Sequence, residues 1–229
     1  MIALPPTRPM SDSDQHTLRV DRTARVTTLG TPATATTWWI VLHGYGQLAN
    51  DFVSPFEGLA TPDRAVIAPE ALSRFYVDGL ETHEEVGASW MTRAAREEEI
   101  ADYVAYLDRV VEHFHPDGPS PSIRVLGFSQ GAATASRWAV LGTTAVDHLV
   151  LWGGAPPSDL DLSAHAEALR GVDLTLVVGT DDPYVTPERR AAARQRLERH
   201  NIPSTLHTFE GGHRLEQAPL YAVLDQDDT

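Results

Sequence analysis

The 229-residue chain has no cysteine, which excludes disulfides, thiolate metal sites and a cysteine nucleophile. It has no lysine either: all 18 basic residues are arginine, against 32 Asp and Glu, for a formal net charge of −14. That balance argues against nucleic acid and anionic membrane surfaces as partners, since both reward Lys and Arg. Two origins fit a lysine-free acidic chain. A carboxylate-rich surface holds water and is screened in high salt, and a genome rich in G and C favours arginine codons. Long apolar runs are missing as well. No stretch is long enough to span a bilayer, and residues 1–15 carry neither an apolar run of signal-peptide length nor a small-residue cleavage site after one. The expectation is a soluble, cytoplasmic protein without stable membrane insertion, with Met10 as an alternative start.

With 42% hydrophobic and 22% charged residues, the chain is suited to one globular domain with a substantial core. Residues 1–15, with Pro5, Pro6 and Pro9, read as a flexible tail, and residues 16–229 as a single domain. Residues 16–20 and 24–29 alternate polar and apolar side chains around Asp21-Arg22, which predicts an antiparallel N-terminal hairpin at a sheet edge. Trp38-Trp39-Ile40-Val41-Leu42 is a continuous apolar run, the pattern of a strand covered on both faces. Similar short runs at residues 65–68, 123–126, 148–152, 174–178 and 204–209 are separated by helical stripes at residues 50–60, 97–114, 163–170 and 187–200, with a closing helix at 215–224. Residues 70–96 break the periodicity and read as a long irregular segment. Strands alternating with helices imply an α/β fold with a mostly parallel twisted sheet and helices on both faces. In such sheets the chemistry collects at the carboxyl ends of the strands.

Three strand ends carry the informative residues. Gly127-Phe128-Ser129-Gln130-Gly131 joins an apolar strand to a small-residue helix, the G-x-S-x-G pattern in which a tight turn exposes a serine hydroxyl. Asp181 and Asp182 follow the strand ending near Val178, and His213 follows the last strand after Gly211-Gly212. Serine, acid and histidine in that chain order match the α/β-hydrolase order. A serine hydroxyl needs a neutral imidazole to accept its proton, and the imidazole needs a buried carboxylate to hold its tautomer. His207 lies within a strand, and His200, His113 and His115 close helices; surface or capping roles suit these better. Asp181 and Asp182 compete for the acid; the simpler role of Asp181 is to turn the loop, and the turn at Pro183 favours Asp182. Backbone N–H groups of Gln130 and Tyr45 fall where oxyanion donors are needed, and His43 reads as a structural hydrogen-bonding residue.

Leu42-His43-Gly44-Tyr45-Gly46, Gly127-Phe128-Ser129-Gln130-Gly131, Gly179-Thr180-Asp181-Asp182-Pro183-Tyr184-Val185 and Gly212-His213 together resemble the carboxylesterase, phospholipase and acyl-protein thioesterase family of α/β-hydrolases. The likeness runs from about Trp38 to His213, and the G-F-S-Q-G elbow is its most specific part. It implies the α/β-hydrolase fold and a G-x-x-D-x-x-V acid at Asp182. Tyr45 departs from the leucine common in relatives, which keeps the backbone donor and changes the pocket wall. Gly87-Ala88-Ser89-Trp90-Met91 resembles the region where the family sets a tryptophan near the substrate channel, so Phe75, Trp90 and Met91 are candidates to line an acyl pocket or, equally, to pack the core. The expected activity is a serine carboxylesterase acting on a small-molecule acyl ester through Ser129, His213 and Asp182, with no metal or organic cofactor. Family members also include lysophospholipases and acyl-protein thioesterases, and both remain alternatives, as do acyl transfer and a non-catalytic binding protein on the same fold.

Overall fold

The continuous apolar runs become the inner strands of a seven-stranded sheet. The computed structural model describes residues 14–79, 82–115 and 118–225. Met10 and most of the expected tail, residues 1–13, lie outside them, while Asp14 and Gln15 are exposed. In chain order come β1 (Val26–Leu29), β2 (Thr37–Leu42), a short α1 (Ala49–Phe52), a 3-10 helix (Ser54–Leu59) and β3 (Arg64–Pro69). A two-stranded hairpin of β4 (Ser73–Tyr76) and β5 (Val86–Ser89) precedes α2 (Arg96–Phe114), β6 (Ser122–Phe128) and α3 (Gln130–Leu141). The chain then runs through β7 (His148–Trp152), α4 (Leu162–Arg170), β8 (Asp173–Gly179), α5 (Pro187–Arg199), β9 (Thr205–Phe209) and α6 (Gln217–Leu224).

The sheet order is β1-β3-β2-β6-β7-β8-β9. All pairings from β3 to β9 are parallel, and β1 runs antiparallel to β3 with Val26 opposite Pro69 and Leu29 opposite Val66. The antiparallel N-terminal hairpin is therefore present, with β3 as the partner of β1. Residues 16–20 do not form its other strand, because no neighbour buries their apolar positions: Leu18 is 83% exposed and Val20 80%.

Strand alternation divides the core between the two faces. Trp38, Ile40 and Leu42 of β2, with Val125, Leu149, Leu151, Leu174 and Leu176, pack against α2, α3, α4 and Leu197 of α5. Trp39, Val41, Val66, Leu126, Val150, Trp152 and Val177 face the 3-10 helix, α1 and α6. Two departures from the sequence pattern have local causes. The helix expected over residues 50–60 ends after one turn and continues as a 3-10 helix, because Pro55 lacks an N–H and disfavours helical backbone at the residue before it. The segment expected to be irregular contains the β4–β5 hairpin, whose strands of four residues are too short to show a period. Helix α2 ends at Phe114 as expected, although Pro116 itself lies outside the described residues. Among the described residues no helix is long and apolar enough to cross a membrane.

One buried carboxylate ties α2 to α3. Asp108 accepts hydrogen bonds from Trp138 Nε1 (2.8 Å), from the Thr143 and Thr144 backbone N–H groups (2.8 and 3.2 Å) and from Thr144 Oγ1 (2.8 Å). Burial pushes its pKa up, but the Thr143, Trp138 and Thr144 hydrogen bonds outweigh that and hold it below the ordinary carboxylate value. Replacing Asp108 with Ala leaves the buried Trp138 Nε1 unpaired, and a buried unpaired donor costs about 1–3 kcal/mol. The urea midpoint of Asp108→Ala should fall clearly; an unchanged midpoint would show that water replaces the carboxylate without loss.

Candidate active site

The elbow between β6 and α3 is built by close backbone contact. Ser129 has φ 54° and ψ −113°, a strained conformation for a residue with a side chain, and such strain costs about 1–3 kcal/mol. Its N–H donates to Trp152 O on the neighbouring strand at 2.9 Å. A Cβ on Gly127 would meet Gly131 O at 2.2 Å, and one on Gly131 would meet Leu42 O at 2.1 Å. Both glycines are thus required by contact between strand and helix backbones. The consequence is a serine lifted clear of the sheet at the first turn of α3.

Two loops bring partners to that serine. His213 Nε2 lies 2.8 Å from Ser129 Oγ, and His213 Nδ1 lies 2.7 Å from Asp182 Oδ2. Asp182 Oδ1 accepts the Tyr184 and Val185 backbone N–H groups at 2.8 and 3.0 Å, so the carboxylate is buried and fully hydrogen-bonded. Asp181 is exposed; its backbone N–H donates to Gly211 O at 2.9 Å, which ties the acid loop to the histidine loop. Trp152 Nε1 donates to Arg214 O at 2.9 Å and anchors the histidine loop from the other side. The imidazole packs against Phe128 and Tyr184, with ring centroids 5.0 and 4.7 Å apart. Ser129, Asp182 and His213 are therefore brought together. His113 and His115 are exposed at the end of α2, His200 follows α5 and His207 lies in β9.

The loop after β2 faces the elbow. Gly44 N–H donates to Gln47 Oε1 at 2.8 Å, Gly46 N–H to Ala88 O at 2.9 Å and Ala88 N–H to Gln47 O at 3.2 Å, so the β4–β5 hairpin holds the turn that contains Tyr45. Tyr45 is exposed, with its ring 5.0 Å from that of Phe75. Gln130 is the first residue of α3, where backbone N–H groups have no carbonyl one turn earlier to bond. Its side chain has a role that the sequence pattern does not reveal. Nε2 donates to Met91 O (2.9 Å) and Ser89 Oγ (3.1 Å), and Oε1 accepts the Trp90 N–H at 3.0 Å, which clamps residues 89–91 onto the elbow.

That clamp explains where the other expected lining residues lie. Trp90 is buried in the core beside Tyr103 and His43 and donates from Nε1 to His43 O at 2.9 Å. Met91 packs on the same core, its Sδ 3.3 Å from Arg137 Nη1. A cleft of about 470 Å³ opens beside His213, with Leu48, Phe52, Pro55, Val86, Phe128 and Leu215 as its apolar walls. Phe75, Trp90 and Met91 are not among its lining residues. Leu48 and Phe52 lie at the two ends of the one-turn α1, while Val86 comes from β5 and Leu215 from the histidine loop, so no single stretch of sequence marks the cleft.

His43 is fully buried, consistent with a structural role: Nε2 accepts the Ala71 N–H at 3.0 Å and Nδ1 donates to Gly44 O at 2.8 Å. Burial lowers its pKa below the ordinary 6.5, and the opposing pull of the Gly44 carbonyl and the Glu70 carboxylate does not overcome it. Among the described residues no group of His, Asp and Glu could hold a metal ion.

A mostly parallel sheet with an antiparallel edge, helices on both faces and serine, acid and histidine in that order on the loops after β6, β8 and β9 defines an α/β-hydrolase. The model of the phospholipase/carboxylesterase family matches residues 23–226, and the chain belongs to that family. Acyl-protein thioesterase 2 of Zea mays has a TM-score of 0.71 at 19% identity, over 89% of this chain and 97% of that one. A carboxylesterase of Mesorhizobium loti has a TM-score of 0.67 at 20% identity, over 92% and 98%, and esterase PE8 has 0.67 at 20%, over 89% and 97%. At such identities these structures share the fold. No curated protein matches the chain.

The histidine behind the loop gives a pH test. With its folded pKa below 6.5, His43 is neutral in the fold while the unfolded chain takes up a proton, so stability falls as pH drops below that value. Between pH 7.5 and 5.5, wild type should lose more urea resistance than His43→Gln. Equal losses would mean that His43 is not a source of the acid sensitivity.

Proposed function

We propose that the protein is a serine hydrolase that cleaves carboxylic esters through an acyl-enzyme, with Ser129 as nucleophile, His213 as general base and acid, and Asp182 as the residue that orients His213. The observation that carries this reading is the unbroken hydrogen-bond chain from Asp182 through His213 to Ser129, 2.7 and 2.8 Å long, ending at a strained serine. Each link has a chemical purpose. Asp182 accepts from Nδ1, which leaves Nε2 as the lone-pair nitrogen facing the hydroxyl. As Ser129 Oγ attacks the ester carbonyl carbon, Nε2 takes its proton, and the buried carboxylate stabilises the imidazolium that forms. The carbonyl oxygen becomes an oxyanion, for which the backbone N–H groups of Tyr45 and Gln130 are the proposed donors; the start of α3 adds a favourable field. The tetrahedral intermediate collapses by breaking the carbon–oxygen bond to the alcohol, which leaves with the proton from Nε2. Water then repeats the sequence on the acyl-serine, releasing the acid and regenerating Ser129.

The hydrogen-bonded carboxylate sets how the imidazole meets the serine. Its second oxygen is occupied by two backbone N–H groups, so the first has one orientation available, toward Nδ1. The charge of −14 fits a neutral or uncharged ester better than an anionic partner.

Turnover of a p-nitrophenyl ester measures the reading. Ser129→Ala should keep its circular dichroism spectrum and lose about 10⁵–10⁶-fold in kcat. Asp182→Asn should lose about 10⁴-fold, because the amide favours the wrong imidazole tautomer. A folded Ser129→Ala variant with unchanged turnover would rule out this mechanism, and a wild type inert toward all esters would favour a binding protein that keeps the fold without the chemistry.

A further inference from the structure

We propose that the cleft beside His213 receives the leaving alcohol of the ester rather than its acyl chain, and that it selects neutral, apolar alcohols. The inference rests on the serine-hydrolase reading and adds a direction to the bound substrate. An ester held at Ser129 has two branches at its carbonyl carbon. The branch that departs must carry its oxygen to the Nε2 proton of His213, so it lies on the side of the imidazole. The acyl branch stays bonded to Ser129 Oγ and extends away from that nitrogen.

His213 and Phe128, whose rings are 5.0 Å apart, both line the cleft, and Ser129 is not among its lining residues. Arg214 and Leu215, which follow His213 in the chain, line it as well, together with Leu48, Phe52 and Pro55. The space therefore borders the residue that hands over the proton. Its volume, about 470 Å³, falls within the range of about 300–1,000 Å³ for pockets that enclose small organic ligands, well beyond what a methyl or ethyl group fills. The surrounding side chains also limit polarity. The lining contains Asp51, and its arginine, Arg214, is engaged by Glu216, with Nη2 2.6 Å and Nε 2.9 Å from Oε1. Six apolar side chains beside a carboxylate and an already paired guanidinium make a poor receptor for a phosphate-bearing leaving group, and a better one for an aryl or alkyl alcohol.

Covalent steps make this testable, because all acetate esters yield the same acetyl-enzyme and differ only in the acylation half of the reaction. Two ratios of kcat/KM separate the branches: benzyl acetate over ethyl acetate reports the alcohol side, and ethyl octanoate over ethyl acetate reports the acyl side. Filling the cleft with Leu215→Trp should lower the alcohol ratio roughly tenfold, the scale of a hydrophobic pocket that loses fit, and leave the acyl ratio within about twofold. Val86→Trp fills the same space from a largely exposed position, 39% exposed, and should give the same pattern if Leu215→Trp folds poorly. A fall in the acyl ratio, an equal fall in both, or no change in either overturns the assignment while leaving ester hydrolysis intact. A wild type that hydrolyses none of these esters overturns the hydrolase reading itself.

Discussion

The structure depends on one close approach: the first turn of α3 lies against the carboxyl ends of β2 and β6 with no room for a side chain at Gly127 or Gly131. Everything that follows at the elbow is set by that contact. It forces Ser129 into a left-handed conformation, directs the start of α3 at the loop carrying Tyr45, and sets the position that His213 must reach. The strain is tolerated because both neighbours of the turn are fixed by other means. Behind it, β6 pairs with β2 and β7 over their lengths, and α3 is tied to α2 through Asp108 and Trp138.

Opposite the elbow, the loops are held by one another rather than by regular structure. Gln47 and Ala88 join the loop after β2 to the β4–β5 hairpin, Gln130 pins residues 89–91, and Asp181 reaches Gly211 across from β8 to β9. A site assembled in this way keeps its geometry only while the hairpin and the strand-end loops stay in contact. The same arrangement leaves an apolar cleft on the imidazole side, where Arg214 is neutralised by Glu216.

Much of this is legible in the sequence where a single local rule decides the outcome. Trp38 to Leu42 reads as a doubly covered strand because every residue is apolar, and both faces of β2 are indeed buried. The elbow, Asp182 and His213 stand out because strand ends, glycines and chain order act together. The rest depends on tertiary contact. Phe75, Trp90 and Met91 are apolar residues in an aperiodic segment, and their surroundings come from tertiary contact: Gln130 draws residues 89–91 against the elbow, and Phe75 lies beside Tyr45. Residues 16–20 alternate convincingly, yet β3 is the partner of β1 and nothing covers Leu18 and Val20. The cleft is invisible in one dimension because the Leu48–Phe52 turn, Val86 and Leu215 come from distant parts of the chain.

The central claim is that Ser129 is an activated nucleophile, and covalent capture tests it most directly. Wild-type protein treated with a fluorophosphonate and examined by peptide mass spectrometry should carry one phosphonyl adduct, on Ser129, and His213→Ala should carry far less after the same exposure. An unlabelled, well-folded wild type, or an adduct on another residue that persists in Ser129→Ala, would contradict the account.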